Sequence, residues 1–226
     1  MPEPCSIAPG LFARPTPAGA YYAVASPEPE PARLLLLGIL GQPRLPQLTP
    51  ALLRQWTGAL DETSAIAVAY EAQQRGWIEG LEEQLEAPRG PLESLLPVLL
   101  PPLSASGQTL LVDDQGFAVS AHGLSDEAVE SLSAMSAELA IVHARHHSHV
   151  SRASGLSTSA WALVDGAGNS QIGFWPLHLG EQRFVLVIVG LPRTNHPMLT
   201  ELIWALAVRY GSFPASDGQR KDIIRA

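Results

Sequence analysis

Four histidines lie in the stretch HARHHSH at residues 143–149, and their spacing is the closest approach in this chain to a metal site. His143 precedes His146 by three residues and His147 by four, so each pair would share one face of a helix. Imidazole pairs at this spacing can bind a transition metal. No third ligand is evident nearby, Arg145 adds positive charge, and the helix dipole also favours imidazoles at a helix C-terminus. We therefore expect no metal, although His143, His146 and His147 remain the candidate ligands, and we prefer a pH-sensitive or polar partner surface.

Adjacent carboxylates at Asp113 and Asp114 are the second candidate for chemistry. Neighbouring residues at a strand end point in opposite directions, and Asp-Asp-Gln-Gly is typical of a turn, so a turn is the preferred interpretation. The chain contains no GxxxxGK[ST], no GxGxxG after a strand and no G-x-S-x-G sequence. We expect a protein that is not an enzyme and that holds no cofactor.

Three aromatic residues near the end of the chain are candidates for a recognition surface. Trp161, Phe174 and Trp175 fall on predicted strands, where aromatic side chains either face a partner or pack, half-buried, on the sheet. We take them as the candidate partner surface, with sheet packing as the alternative.

The composition favours a globular protein that binds other proteins. Hydrophobic residues make up 46% of the 226 residues and charged residues 16%, which supplies a core and leaves apolar surface for a partner. The formal charge of −8 makes nucleic acid an unlikely partner. Cys5 is the only cysteine, the N-terminal sequence does not have the pattern of a signal peptide, and no apolar run is long enough to span a bilayer. We expect a cytoplasmic location without membrane insertion.

The first part of the chain predicts a proline-rich leader and a small, mainly helical domain. Proline removes backbone donors, so residues 1–19 are expected to be flexible. Residues 20–87 are expected to form one strand, three helices and a hairpin, at residues 20–25, 32–40, 49–56, 61–75 and 77–85. Three helices followed by a hairpin are typical of a winged helix. Its usual role is DNA binding, but Arg75 faces an excess of glutamates here, so a protein-interaction or packing role is preferred.

A second domain is predicted over residues 88–211, followed by a polar tail at 212–226. The sequence APRGP at 87–91 indicates the boundary. Within the domain we expect a helix, a hairpin, a long helix from Ser125, a polar linker, three strands and a last helix. Their expected positions are residues 92–100, 109–121, 125–145, 151–159, 160–164, 171–177, 183–189 and 197–210.

The centre of this domain reads LLVDDQGFAVSAHGLSDEAVESLSAMSAEL: a strand, an Asp-x-x-Gly turn, a strand, Gly-Leu, and a helix that starts with acids and continues with small residues. Over about residues 92–211 the pattern resembles the Roadblock / dynein light chain family, including its bacterial regulators of small Ras-like GTPases. The resemblance implies an α+β fold: a five-stranded antiparallel sheet with the long helix on one face and the first and last helices on the other. It also implies a homodimer formed through the long helix and the edge strand after it.

The long helix itself shows two faces. One is expected to pack on the sheet, because its apolar residues recur at steps of three or four: Val129, Leu132, Met135, Leu139 and Val142. The other carries small residues, which let two helix backbones approach closely. The expected dimer interface consists of Ser133, Ala137, Ala140, Ile141 and Ala144. The alternative is a solvent-facing surface of Ser and Ala that serves helix propensity.

Two functional hypotheses follow. The first is a non-catalytic homodimeric scaffold or regulator that acts, through protein–protein contacts, on a small Ras-like GTPase or on a polarity, motility or signalling complex. The second is a transcriptional or signalling regulator whose winged-helix-like domain binds DNA.

Overall fold

The computed structural model describes residues 10–154 and 160–211, and for residues 147–154 it describes the backbone only. The helices in these ranges are α1 (Pro17–Val24), α2 (Pro31–Leu40), α3 (Pro50–Thr57), α4 (Glu62–Gln74), α5 (Leu92–Leu99), α6 (Asp126–Ser154) and α7 (Met198–Tyr210). The strands are β1 (Phe12–Pro15), β2 (Ile78–Leu81), β3 (Thr109–Val112), β4 (Ala118–His122), β5 (Trp161–Val164), β6 (Ser170–Leu179) and β7 (Gln182–Val189). No helix in the described residues is both long enough and apolar enough to span a membrane.

Five strands form one antiparallel sheet in the order β4-β3-β7-β6-β5, so the expected α+β class and five-stranded antiparallel sheet are confirmed. One face is covered by α5 and α7 together with α1, and α6 covers the other; α2 packs on α1 and α7. Side chains alternate between these faces along each strand. On β7, for example, Leu186 joins the larger core beneath α7, and Val185 and Val187 join the smaller core beneath α6.

The sheet elements follow local sequence signals. Asp113 closes the β3–β4 turn, because its Oδ1 accepts hydrogen bonds from the backbone N–H groups of Gln115 (2.9 Å) and Phe117 (2.8 Å). Asp165 does the same between β5 and β6, where it accepts from Ala167 and Asn169, both at 2.9 Å. The turn interpretation of the Asp113 and Asp114 pair is thus supported by geometry.

The N-terminal residues differ most from expectation. Residues 20–25 were predicted as a strand and the leader was expected to be flexible, but residues 12–15 form β1 and residues 17–24 form α1. The physical reason is a helix start: the Thr16 side chain accepts a hydrogen bond from Gly19 N (3.2 Å), with Pro17 in the first turn. The same Thr-Pro signal starts α3 at Thr49, where the prediction was right.

The hairpin expected at residues 77–85 is also wrong. β2 pairs with β1 rather than with the residues that follow it. Those residues instead run beside the loop after α2, since Leu45 N donates to Leu85 O (2.9 Å) and Ala87 N to Pro43 O (3.0 Å). In a winged helix, β2 would pair with the second strand of the hairpin; here β1 pairs with it instead.

A single buried cluster contains residues from both sides of the boundary expected at residues 87–91. Trp204 on α7 is almost fully buried, and its indole N–H donates to the Gln42 carbonyl at 2.8 Å. Arg14 on β1 pairs with Glu201 on α7 at 2.9 Å. The N-terminal elements consequently pack on the last helix, and α1 also contacts β6 on the same face of the sheet.

Candidate functional site

The long helix α6 lies on the sheet with a face that differs from the predicted one. Leu132 is buried, and Val129 and Leu139 pack against the same core as expected, but Met135 and Val142 are 38% and 42% exposed. Ser133, which was expected in the dimer interface, and Ser136 are buried near Leu132 instead. Burial of Ser136 is possible because its hydroxyl donates to the Leu132 carbonyl at 2.7 Å. The expectation that Met135 and Val142 pack on the sheet is wrong.

The small-residue stripe is divided between different surroundings. Ser133 is buried within the chain. Ala137 lies against the β3–β4 turn, where a Cβ atom built on Gly116 would be 3.2 Å from the Ala137 Cβ. Ala140 and Ala144 line a groove between α6 and the sheet. Of the five residues, Ile141 is the large apolar side chain on the open face, at 58% exposure.

α6 continues beyond its expected end. Residues 151–154, predicted as the start of a polar linker, are helical, because the first residue that would break a helix is Gly155. Residues 155–159 of that predicted linker, residues 1–9 of the leader and the tail at 212–226 lie outside the described residues.

The histidines at this end of α6 do not share one environment. His143 is turned toward the sheet, where its Nδ1 accepts a hydrogen bond from the Trp161 indole N–H at 3.3 Å and the two rings meet edge to face. His146 is exposed, and the side chain of His147 lies outside the described residues. Within the described residues, no three potential ligands lie close enough together to hold a metal ion.

The three aromatic candidates lie on both faces of the sheet. Trp161 and Phe174 are directly opposite on β5 and β6, and both face α6. Phe174 is buried, and Trp161 is 40% exposed. Trp175, the next residue along β6, faces the other way and packs against the larger core. Trp161 and Phe174 are therefore brought together, and Trp175 is not part of their surface.

A groove separates the middle of α6, at residues 136–144, from β6 and β7. It has a volume of about 220 Å³. Phe174, Pro176 and Val185 form its sheet side, Leu139, Ala140 and His143 its helix side, and Trp161 one end. Residues 25–27, which follow α1, reach the same groove. Most of the lining is apolar, as is usual for small-ligand sites.

The polar part of the groove comes from a hairpin. His178 on β6 and Arg183 on β7 are cross-strand partners that flank the two-residue turn at Gly180 and Glu181. Both line the groove. The buried Nε of Arg183 has no hydrogen-bond partner, and Arg183 takes part in none of the ion pairs found among the described residues.

A second surface beside the groove is apolar and open to solvent. β5 pairs only with β6, so its other edge is unpaired within residues 10–154 and 160–211. Its four residues are exposed, with Leu163 at 51%, and contain no charge. On the neighbouring part of α6 the exposed apolar residues are Met135, Ile141 and Val142. The contact between His143 and Trp161 joins the two elements.

No protein-family model matches the chain, and no characterised protein or solved structure is significantly similar to it. Sequence reasoning missed Arg183 and His178, although Gly180 and Glu181 between the two apolar runs are a signal for a hairpin turn that would pair them.

Proposed function

We propose that this protein is a non-catalytic homodimeric scaffold or regulator that acts through protein–protein contacts. The observation that carries the proposal is the uncharged outer edge of β5, which has no strand partner among the described residues, beside the exposed apolar residues of α6. Exposed sheet edges promote pairing with another chain, and natural proteins usually protect them with charge or proline. WALV has neither.

A second copy of the chain fits this edge. In a two-fold dimer the same antiparallel strand meets itself, so both copies satisfy their backbone donors and acceptors at once. The absence of charge on β5 removes repulsion between the copies. Ile141 and Val142 on α6 would add apolar area next to the strand.

The proposed class of partner comes from the resemblance to Roadblock proteins. The strand order and the placement of α6 opposite α5 and α7 support that resemblance, because they are what the family pattern implies. By this resemblance the dimer acts on a small Ras-like GTPase, or in a polarity, motility or signalling complex. The lone cysteine in the sequence and the lack of a spanning helix among the described residues support a cytoplasmic setting.

Light scattering coupled to gel filtration tests the dimer. We expect the wild-type mass to be about twice the 24.1 kDa of one chain. The variant that combines Ile141→Asp with Leu163→Asp should have the mass of one chain, because it places like charges on both elements of the interface. Leu60→Asp is the matched control, since Leu60 is 93% exposed in the loop between α3 and α4. A monomeric wild type, or an unchanged mass for the double variant, would contradict this interface.

The partner is tested separately. Affinity purification from the source cells, with either GDP or a non-hydrolysable GTP analogue present, should retain a Ras-like GTPase in a nucleotide-dependent manner.

A DNA mobility assay over a range of salt concentrations tests the alternative, in which the protein binds DNA. Tight duplex binding that weakens steeply with salt, without a GTPase partner, would replace the scaffold proposal by the DNA-binding one.

A further inference from the structure

The groove between α6 and the sheet has the composition of a small-ligand site. Its volume of about 220 Å³ corresponds to roughly seven water molecules at about 30 Å³ each, which suits a ligand of about ten non-hydrogen atoms. The lining combines the aromatic rings of Trp161 and Phe174 with aliphatic residues of α6. The transfer of an apolar or aromatic ligand from water into this groove would therefore be favourable.

His178 and Arg183 lie at the opposite end of the groove from Trp161. Phe174 is the cross-strand partner of Trp161, and His178 lies four residues farther along β6, which places the two ends roughly 13 Å apart. Arg183 lies beside His178 on β7. Among the described residues that line the groove there is one arginine, two histidines and no carboxylate. The chain as a whole has a formal charge of −8, so a lining with an arginine and no carboxylate is a local feature of the groove.

Arg183 gives the groove a specific chemical preference. Its side chain lines the groove, and it takes part in none of the ion pairs found among the described residues. A guanidinium presents its N–H groups in a planar fork that matches a carboxylate, which can accept two parallel hydrogen bonds. A carboxylate at this end of the groove would pair with the guanidinium and neutralise the arginine.

We propose that the groove binds a small monocarboxylate with an aromatic or aliphatic body, whose carboxylate pairs with Arg183 and whose body lies between Phe174, Trp161 and α6. This site does not depend on the proposed scaffold role. Its test uses the purified protein alone, so binding here and the state of the dimer are read out independently.

Three probes of matched shape and different charge test the proposal by isothermal titration calorimetry. They are 3-phenylpropionate, its neutral amide 3-phenylpropionamide, and the cation 3-phenylpropylamine. We expect 3-phenylpropionate to bind with a Kd between about 10 μM and 1 mM, which is the range for so small a ligand. The amide should bind about 10- to 100-fold more weakly, because it lacks the charge-assisted hydrogen bonds, and the amine should not bind.

Variants locate the binding. Arg183→Gln should weaken the binding of 3-phenylpropionate about 10- to 100-fold and leave the affinity for the amide nearly unchanged. The affinity of Arg183→Lys for 3-phenylpropionate should lie between those of the wild type and Arg183→Gln, because lysine keeps the positive charge but lacks the planar fork of N–H groups. Arg193→Gln is the matched control, since Arg193 is exposed and does not line the groove. Ala140→Phe should abolish binding of both acid and amide by filling the space, which keeps the test decisive if Arg183→Gln does not fold. Equal binding of acid and amine, no saturable binding up to 10 mM, or an unchanged affinity in both Arg183→Gln and Ala140→Phe would overturn the proposal.

Discussion

Replacing Gly19 by alanine should destabilise the protein through one backbone contact. Gly19 is in α1, and a Cβ atom built on it would lie 2.1 Å from the carbonyl oxygen of Trp77 and 2.8 Å from its carbonyl carbon. A normal contact between carbon and a carbonyl oxygen is about 3.3 Å, so the two backbones must separate by about 1.2 Å. The same carbonyl accepts a hydrogen bond from Thr16 N at 3.0 Å, which the separation would lengthen.

The size of the change in stability follows from three effects, of which two destabilise the variant and one stabilises it. Overpacking in a well-packed core costs about 1–3 kcal/mol, and weakening the hydrogen bond to Thr16 costs about 1 kcal/mol. Alanine in place of glycine within a helix recovers about 0.5–1 kcal/mol. The free energy of unfolding of Gly19→Ala should therefore fall by about 2 kcal/mol, which for a chain of this size lowers Tm by about 4–8 °C.

Urea unfolding followed by circular dichroism measures this change. Gly166→Ala is the matched control, because its added Cβ would have no atom within 4 Å and its φ is not in the left-handed region. The control should be unchanged or up to about 1 kcal/mol more stable. Equal stability of the two variants would refute the packing of α1 against the backbone of Trp77, the residue that directly precedes β2.

Three further perturbations test other contacts. Thr49→Ala removes the side-chain acceptor for Leu52 N at the start of α3, and should lower the free energy of unfolding by about 1 kcal/mol in urea. Burial, followed by the hydrogen bond to a neighbouring carboxylate, raises the pKa of Tyr22 to about 12, so Tyr22→Phe should remove one phenolate from the absorbance change near pH 12; a loss near pH 10 would contradict this. Burial raises the pKa of Glu201 more than Arg14 lowers it, so the folded state favours the protonated carboxyl and stability should rise as pH falls from 7 through that raised pKa. Glu201→Gln should lack this rise in urea unfolding at pH 7 and pH 5, and parallel pH profiles would count against a buried carboxylate.

The sheet and its helices could largely be predicted because their signals are local. The Asp113 turn, the acids at the start of α6 and the apolar run of β7 each depend on a few adjacent residues, and all three elements are found where they were expected. The N-terminal residues could not be placed in this way. Thr16 and Pro17 do carry a helix start, but the prolines around them suggested a flexible leader, and the pairing of β1 with β2 joins residues more than sixty positions apart.

The candidate site was less predictable than the fold for a similar reason. The side of α6 that packs on the sheet contains Ser133 and Ser136 and excludes Met135, so hydrophobic periodicity alone gave the wrong rotation. A buried serine can satisfy its hydroxyl within the helix, as Ser136 does, and the sequence does not show whether it will. The pairing of His178 with Arg183, by contrast, follows from a two-residue turn between strands and was available to sequence reasoning.

The contact between Arg14 and Glu201 joins residues 187 positions apart in the chain. Contacts of such long sequence separation slow folding, because the loop must close before the contact gives any stability. During synthesis, β1 and α1 leave the ribosome long before α7 exists, so the apolar residues that they bury against α7 have no partner until then. The N-terminal elements should accordingly be among the last to acquire their native packing, and a nascent chain halted before Met198 would expose the surface that α7 later covers.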